Sequence, residues 1–446
     1  MLEAGFAEAV ITPPRGVDLA GYFHIRANRG VLDDLYVRVA LFRSGAEIGG
    51  IVVFDLSFIP EDLFAGTKRA LRAAGMDFAD KLIFSATHTH TGTRFHGPAG
   101  DLPEEVERVS SLAADAIERA FADLAPAELA YAAVEDNPHA FVRRFWMKSG
   151  GVATNPGVGN PDIIRPESDP DRLVQVLAVR REGRLAGMVV NLANHGDTIG
   201  GYLVSADWPG RMVAEIRHQL GGDVMVLPLI SAAGDINHVN VCAVPETGGV
   251  GFLGSKYSRA LEIGRCCGRI AGRLLERLEP LTISSFTVSR SEIDVARLVP
   301  GEAELADAER TLREISPELK IGDGFRFTDP AVQRYFAQRV VDCAGNAGKT
   351  CRIGLVALKF DRELAVTNLP GECFHAVATT IRARSPFRHT LVSGLSPEAS
   401  CYIPLTESFE RGGYETLSEP GKLERGAADR LIFAAVANLN DGGENV

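Results

Sequence analysis

Strand-length apolar runs alternate with helix-spaced stretches along nearly the whole chain, and three pairs of runs are joined by very short turns. Tyr36–Phe42 and Gly50–Phe58 flank a turn at Ser44–Ile48. Leu173–Arg180 and Leu185–Ala193 flank Arg181-Glu182-Gly183-Arg184. Cys351–Phe360 and Glu363–Asn368 flank Asp361-Arg362. Turns of that length force antiparallel pairing, because a parallel connection needs a dozen or more residues. Between the hairpins lie single apolar runs of strand length, at Lys81–Thr87, Val224–Ile230 and Thr390–Gly394, and a strand-rich Leu281–Val295. Helical spacing covers Glu61–Ala74, Pro103–Leu124, Pro209–Leu220, Ser255–Leu278, Ala303–Glu314, Ala331–Ala344, Phe374–Arg384 and Lys422–Asn438. Hairpins and helical crossovers together predict an α/β fold of mixed β-sheets with flanking helices. No sequence repeat and no low-complexity linker divides the chain, so residues 1–446 read as a single domain. The polar stretch Leu298–Thr328 reads as an insertion or a lid.

The chain carries a net charge of −11. That argues against a general affinity for nucleic acid or anionic membrane, which needs a basic surface. No run is long and apolar enough for a transmembrane helix. The N-terminus has no basic segment ahead of an apolar one, so no signal peptide is expected and a cytoplasmic location is. Seven cysteines include no C-x-x-C pair. A disulfide framework and a thiolate zinc site are therefore not expected, and Cys343–Cys351 has the most plausible spacing for one bridge.

The chemistry-bearing residues cluster after the apolar runs. His88 and His90 follow the run 81–87, and in extended backbone positions i and i+2 project together. They read as metal ligands, as one ligand and one substrate-facing group, or as a hydrogen-bonded pair at a loop. His195 follows the run 188–193 and precedes Gly196, as a ligand from a second strand would, or as a packing residue. Asp207 reads as a helix cap, or as a partner to a ligand histidine. Asp235 follows the run 224–230 and either orients a histidine or caps a turn. Asn237 and His238 beside it are candidates for substrate contact. Glu372 opens a helix after the strand at 363–368, where the helix dipole favours an acid in any case. Arg143 and Arg144 read as an anion or carbonyl site or as a solvated face, and Tyr402 and Tyr414 as site residues or as buried tyrosines. Together these are nitrogen and oxygen donors at strand ends, a set that suits Zn²⁺ with an open position for water and hence amide or ester hydrolysis. No G-x-S-x-G elbow, P-loop or H-E-x-x-H motif competes.

Six motifs in order resemble the neutral, non-lysosomal ceramidases: Ala9-Val-Ile-Thr-Pro-Pro-Arg-Gly16 with Gly21-Tyr22, Ser85-Ala-Thr-His-Thr-His-Thr-Gly92, Asn194-His-Gly196, Gly234-Asp235, Leu369-Pro-Gly-Glu372, and Tyr402 with Gly413-Tyr-Glu415. The resemblance spans nearly the whole chain and implies the fold of that family's catalytic domain, without its C-terminal immunoglobulin-like domain. It implies one zinc per chain on His88, His195, Glu372 and Tyr402. It implies that His90 lines the site and acts in catalysis, that Arg143 (with Arg144 as the alternative) meets the substrate carbonyl, and that Tyr414 faces the site. Family members are usually secreted or membrane-associated. The family hexapeptide G-D-V-S-P-N is here Gly-Asp-Ile-Asn-His-Val, so Asn237 stands where the family has an essential serine. H-T-H-S-G is here H-T-H-T-G.

The expectation is a zinc amidohydrolase acting on a small-molecule N-acyl substrate, ceramide-like or otherwise. Metal-activated water attacks the carbonyl, Arg143 and Tyr414 stabilise the oxyanion, and His90 passes a proton to the leaving amine. The rivals are an amidohydrolase-type (β/α)₈ barrel, a zinc esterase or phosphoesterase on the same centre, and a non-catalytic ligand-binding relative.

Overall fold

A computed structural model describes residues 1–242, 256–322 and 326–441. Three main sheets organise it. The first is built from β1 (Leu2–Val10), β2 (Tyr36–Ser44), β3 (Glu47–Phe54) and β4 (Leu82–Ala86). The second is built from β5 (Glu128–Glu135), β6 (Leu173–Arg181), β7 (Arg184–Leu192) and β8 (Met225–Ile230). The third is built from β9 (Phe286–Ala296), β10 (Thr350–Phe360), β11 (Leu364–Pro370) and β12 (His389–Ser396).

Each sheet repeats one topology. Its first three strands pair antiparallel in sequence order, and its third pairs parallel with its fourth. The parallel step always crosses over through a helix: α1 (Glu61–Ala73), α3 (Asp207–Leu220) or α7 (His375–Arg384). This threefold repeat is invisible in the sequence, where no pattern recurs, and it replaces the barrel considered as a rival. The other long helices among the described residues are α2 (Pro103–Ala122), α4 (Lys256–Leu274), α5 (Glu302–Glu314), α6 (Pro330–Ala344) and α8 (Ala427–Asn440).

The inner faces of the three sheets share one apolar core, including Phe42, Ile83, Leu177, Val189, Leu227, Leu358 and Leu391. Polar threads tie the parallel pairs together at its edge. Ser85 Oγ donates to Gly394 O at 2.9 Å, and Asn191 Nδ2 to Val392 O at 3.0 Å. The carboxyl ends of the three parallel pairs are thereby brought to one place, where α/β folds build their sites.

One expected helix boundary is corrected. The last helix begins at Ala427, not Lys422: Lys422 is buried with its ammonium on Glu415 O, and Gly426 precedes the helix at φ 91°. Cys343 and Cys351 form no bridge; their thiols meet Leu298 O and Glu398 O, and all seven cysteines are free. The described part of Leu298–Thr328 contains α5 and otherwise irregular backbone, and leads towards α6. The expected helix start at Ser255 lies outside the described residues. No helix among the described residues is long and apolar enough to cross a membrane.

Candidate metal centre

One residue from each sheet converges on a common point. His88 follows β4, His195 follows β7, and Glu372 follows β11. His88 Nε2 lies 3.2 Å from His195 Nε2, 3.3 Å from His90 Nε2 and 3.2 Å from Glu372 Oε2. His195 Nε2 lies 3.7 Å from Glu372 Oε2. A tetrahedral ion with bonds of about 2.0–2.1 Å separates its ligands by about 3.3–3.4 Å, so these spacings are those of a ligand shell. The cluster His88, His90 and His195 could hold a metal ion.

The state of the donors suits a cation. Glu372 Oε2 is buried, and His88 Nε2 at 3.2 Å is the group that meets it; a buried carboxylate oxygen needs a positive or donating neighbour. Burial, and then the charge of His88, hold the protonation of His195 and His90 well below the usual imidazole range, so both offer lone pairs. Burial opposes charge on His88 too, but Glu372 outweighs it; reciprocally, burial would raise Glu372, and His88 and Arg143 hold it low. A cavity of about 10 Å³ adjoins His88, His195 and Glu372, about the size of one small occupant.

Backbone geometry aims the ligands. His88 has φ 66°, a left-handed conformation that costs a β-carbon residue energy and recurs at functional sites. Its Nδ1 lies 2.9 Å from Ser57 O, so Nδ1 carries the proton and Nε2 faces the cluster. Two motif glycines permit the approach. A Cβ on Gly196 would sit 2.6 Å from His88 O, and one on Gly371, itself at φ 51°, would sit 2.6 Å from Cys401 O. His195 is held from behind by Trp208 Nε1, which donates to its carbonyl at 2.8 Å. Asp207 does not touch a ligand ring. At φ 55° it starts α3, and its carboxylate accepts the N–H groups of Thr198 and Ile199, shaping the loop after His195.

The other site candidates surround this cluster. Tyr402 is paired by backbone with Glu372, and its hydroxyl lies beside that carboxylate. The Arg143 guanidinium stands 4.9 Å from the Tyr402 ring, and Tyr414 lies 5.4 Å from the same ring. Arg143 Nε bonds Glu415 at 2.7 Å, while its Nη2 is buried with no hydrogen-bond partner among the described residues. Arg144 turns the other way, to Glu415, Glu167 and Gly412 O. Asn237 is buried; its amide donates to Asn155 at 2.7 Å and its carbonyl oxygen accepts the His238 N–H. Its strand partner is Phe141, two residues before Arg143. His90 is the more open imidazole: it keeps 12% exposure, with Asp197 3.4 Å from its Nδ1 and Tyr22 edge-on at 6.0 Å.

Sequence reasoning missed Glu415 and His375. Glu415 is fully buried and gathers Arg143, Arg144 and Thr154. Its signal is an acid immediately after a candidate tyrosine. His375 receives Asp235, settling that aspartate as a histidine holder.

The fold and the cluster together define an α/β protein with a histidine-rich group able to hold a metal. Among solved structures, the neutral ceramidase from Pseudomonas aeruginosa superposes with a TM-score of 0.73 at 17% identity, covering 98% of this chain and 74% of that one. A ceramidase complexed with C2 gives the same values. The chain thus has the neutral-ceramidase fold. No family model matches the sequence, and no curated protein does either.

Proposed function

We propose that the protein is a zinc-dependent hydrolase that cleaves an N-acyl amide bond in a small molecule. The observation that carries this reading is the shell of buried nitrogen and carboxylate donors at 3.2–3.7 Å. The likeness in fold to neutral ceramidases supports it. His88, His195 and Glu372 would hold one zinc with Tyr402 beside them, and His90, the more open imidazole, stands on the substrate side. Zinc in that place supplies Lewis acidity and a water acidic enough to act as nucleophile near neutral pH. The unused Nη2 of Arg143 is a preorganised donor for the charge that develops on the substrate carbonyl oxygen, and the Tyr414 hydroxyl, kept protonated by burial, is a second. His90, neutral and backed by Asp197, can accept a proton and return it to the leaving amine. Asn237 pairs with Phe141 and so supports the segment that leads into Arg143.

The test is metal content by plasma emission on protein purified without a tag, followed by a panel of N-acyl amides and matched esters. About one zinc per chain is expected, absent in His88→Ala, together with amide turnover that the variant lacks. A protein without zinc, one with two metals, or a His88→Ala variant that keeps both metal and turnover would overturn the reading.

A further inference from the structure

We propose that the groove between α4 and the loop after β5 is a binding site for a soluble phosphomonoester. A cavity of about 600 Å³ opens there and shares no lining residue with the metal centre; that volume is ordinary for a small-molecule site. Arg265, Arg269 and Arg273 line it, each four residues from the next on one stripe of α4. Like charges at that spacing repel, so the row costs helix stability unless anions face it. The carboxylates present answer it loosely. Arg265 and Arg269 share Glu215, at 3.8 and 3.4 Å, and Arg273 has Asp136 at 3.7 Å. All three arginine side chains stay more than half exposed. The one acid in the lining, Glu262, is engaged by Arg259 at 2.9 Å. Four arginines thus meet three carboxylates, a local positive excess on a chain of net charge −11.

A second observation points the same way. His139, also in the lining, is 3% exposed, and its Nδ1 has no hydrogen-bond partner among the described residues. Such orphaned buried atoms are rare. Burial, and then the charge of Arg259, lower its protonation to about 4, so the ring is neutral and can carry its proton on Nδ1 as a donor. The geometry selects phosphate over carboxylate. Successive arginines stand about 6 Å apart along the helix axis. Two guanidinium forks at that span can close on one phosphoryl group, whose three outer oxygens and near-double charge serve both. A carboxylate has two oxygens and a single charge, and fills one fork. Leu261 and Pro138 give the organic part of the ester an apolar wall. Exposed Asp136 and Glu262 flank the groove, so a broad anionic surface such as a membrane meets them, while a small solute enters between.

The experiment is isothermal titration of the full chain with phenyl phosphate in phosphate-free buffer, at low and physiological salt. Binding is expected, weaker at the higher salt and about tenfold weaker in Arg269→Gln. Arg269→Lys, which keeps the charge without the fork, should recover only part of it. Arg310→Gln, at an exposed arginine of α5, should leave it unchanged. Benzoate, the same ring on a carboxylate, should bind at least about tenfold more weakly than phenyl phosphate. A bound metal would attract phosphate too, so the titration is repeated on His88→Ala, where the groove site should persist. The arginine variants are surface changes, and their thermal transitions check that they fold. No phenyl phosphate binding, binding lost in His88→Ala but kept in Arg269→Gln, or benzoate binding equally well would overturn the proposal. So would binding confined to phosphatidylcholine vesicles that carry phosphatidic acid. None of these outcomes depends on the hydrolase reading.

Discussion

Asp235 holds His375 with both carboxylate oxygens: Oδ1 accepts the His375 backbone N–H and Oδ2 meets its ring Nδ1, each at 2.8 Å. The Asp235 carbonyl meanwhile accepts the Arg143 N–H at 3.1 Å. Asp235, in the loop after β8, thus fixes both the helix that follows Glu372 and the backbone at Arg143.

Removing one partner should be costly. Burial would raise Asp235 and suppress charge on His375, but each outweighs that for the other, so Asp235 lies low and His375 high. The depressed carboxyl stabilises above the ordinary carboxylate range and loses its effect as acid protonates it. The raised imidazole stabilises below its ordinary value and loses its effect as pH rises through the raised one. The pair therefore contributes most between roughly pH 4 and 6.5. Asp235→Ala should lose on the order of 3 kcal/mol in that window. The double Asp235→Ala, His375→Ala variant should cost less than the two single changes added. Urea unfolding across pH measures both, and additive losses would remove the coupling.

The glycines beside the ligands are set by close backbone approach. Gly196→Ala would force a Cβ to 2.6 Å from His88 O, and Gly371→Ala would add a strained φ to its contact with Cys401 O. Each should destabilise by about 2 kcal/mol or more. Gly301, which has nothing within 4 Å and no positive φ, is the comparison; alanine there should cost less than about 1 kcal/mol. Equal melting temperatures for all three variants would contradict the packing argument.

How much of this was legible in the sequence depended on range. Strand and helix placement was legible because periodicity is local: the expected helix Glu61–Ala74 differs from α1 by one residue, and the hairpins fall at Arg181–Arg184 and Asp361–Arg362 as their turn residues predict. His88 and His195 stood out because each ends an apolar strand. The Asp235–His375 bond was not legible, since its partners are 140 residues apart and Asp235 looks equally like a turn cap. Lys422 read as a helical residue because a buried lysine is rare; only its contact with Glu415 O explains its place. The threefold topology left no trace because each unit fills the shared core with different apolar residues.

Glu398 should make stability fall as pH rises. It sits at φ 85° with Oε2 buried and unpartnered among the described residues, and burial pushes its carboxyl up to about 7. The unfolded chain releases this proton near 4.3, the folded chain only near 7. Between those values the folded state binds more protons, so stability declines with pH and then levels off. Glu398→Gln should remove that decline, worth on the order of 3 kcal/mol at pH 8 and little at pH 4. An unchanged pH slope in the variant would show that another group causes it.

Arg143 and Glu415 separate holding the metal from using it. Among the described residues Arg143 makes no hydrogen bond to the ligand imidazoles; it leans on Glu415 and Tyr402 and leaves Nη2 unused. Arg143→Ala should therefore keep its zinc while turnover falls about 10²–10³-fold, the scale of one lost oxyanion donor. Arg143→Lys should recover little, because a lysine ammonium cannot bridge Glu415 and the carbonyl as a planar guanidinium can. Glu415→Gln leaves two buried arginines short of a counter-charge and should cost about 3–5 kcal/mol of stability. Its turnover should fall with that loss of Arg143 orientation, in kcat more than in KM. Full turnover in Arg143→Ala would assign the guanidinium a purely structural part and pass the oxyanion to Tyr414.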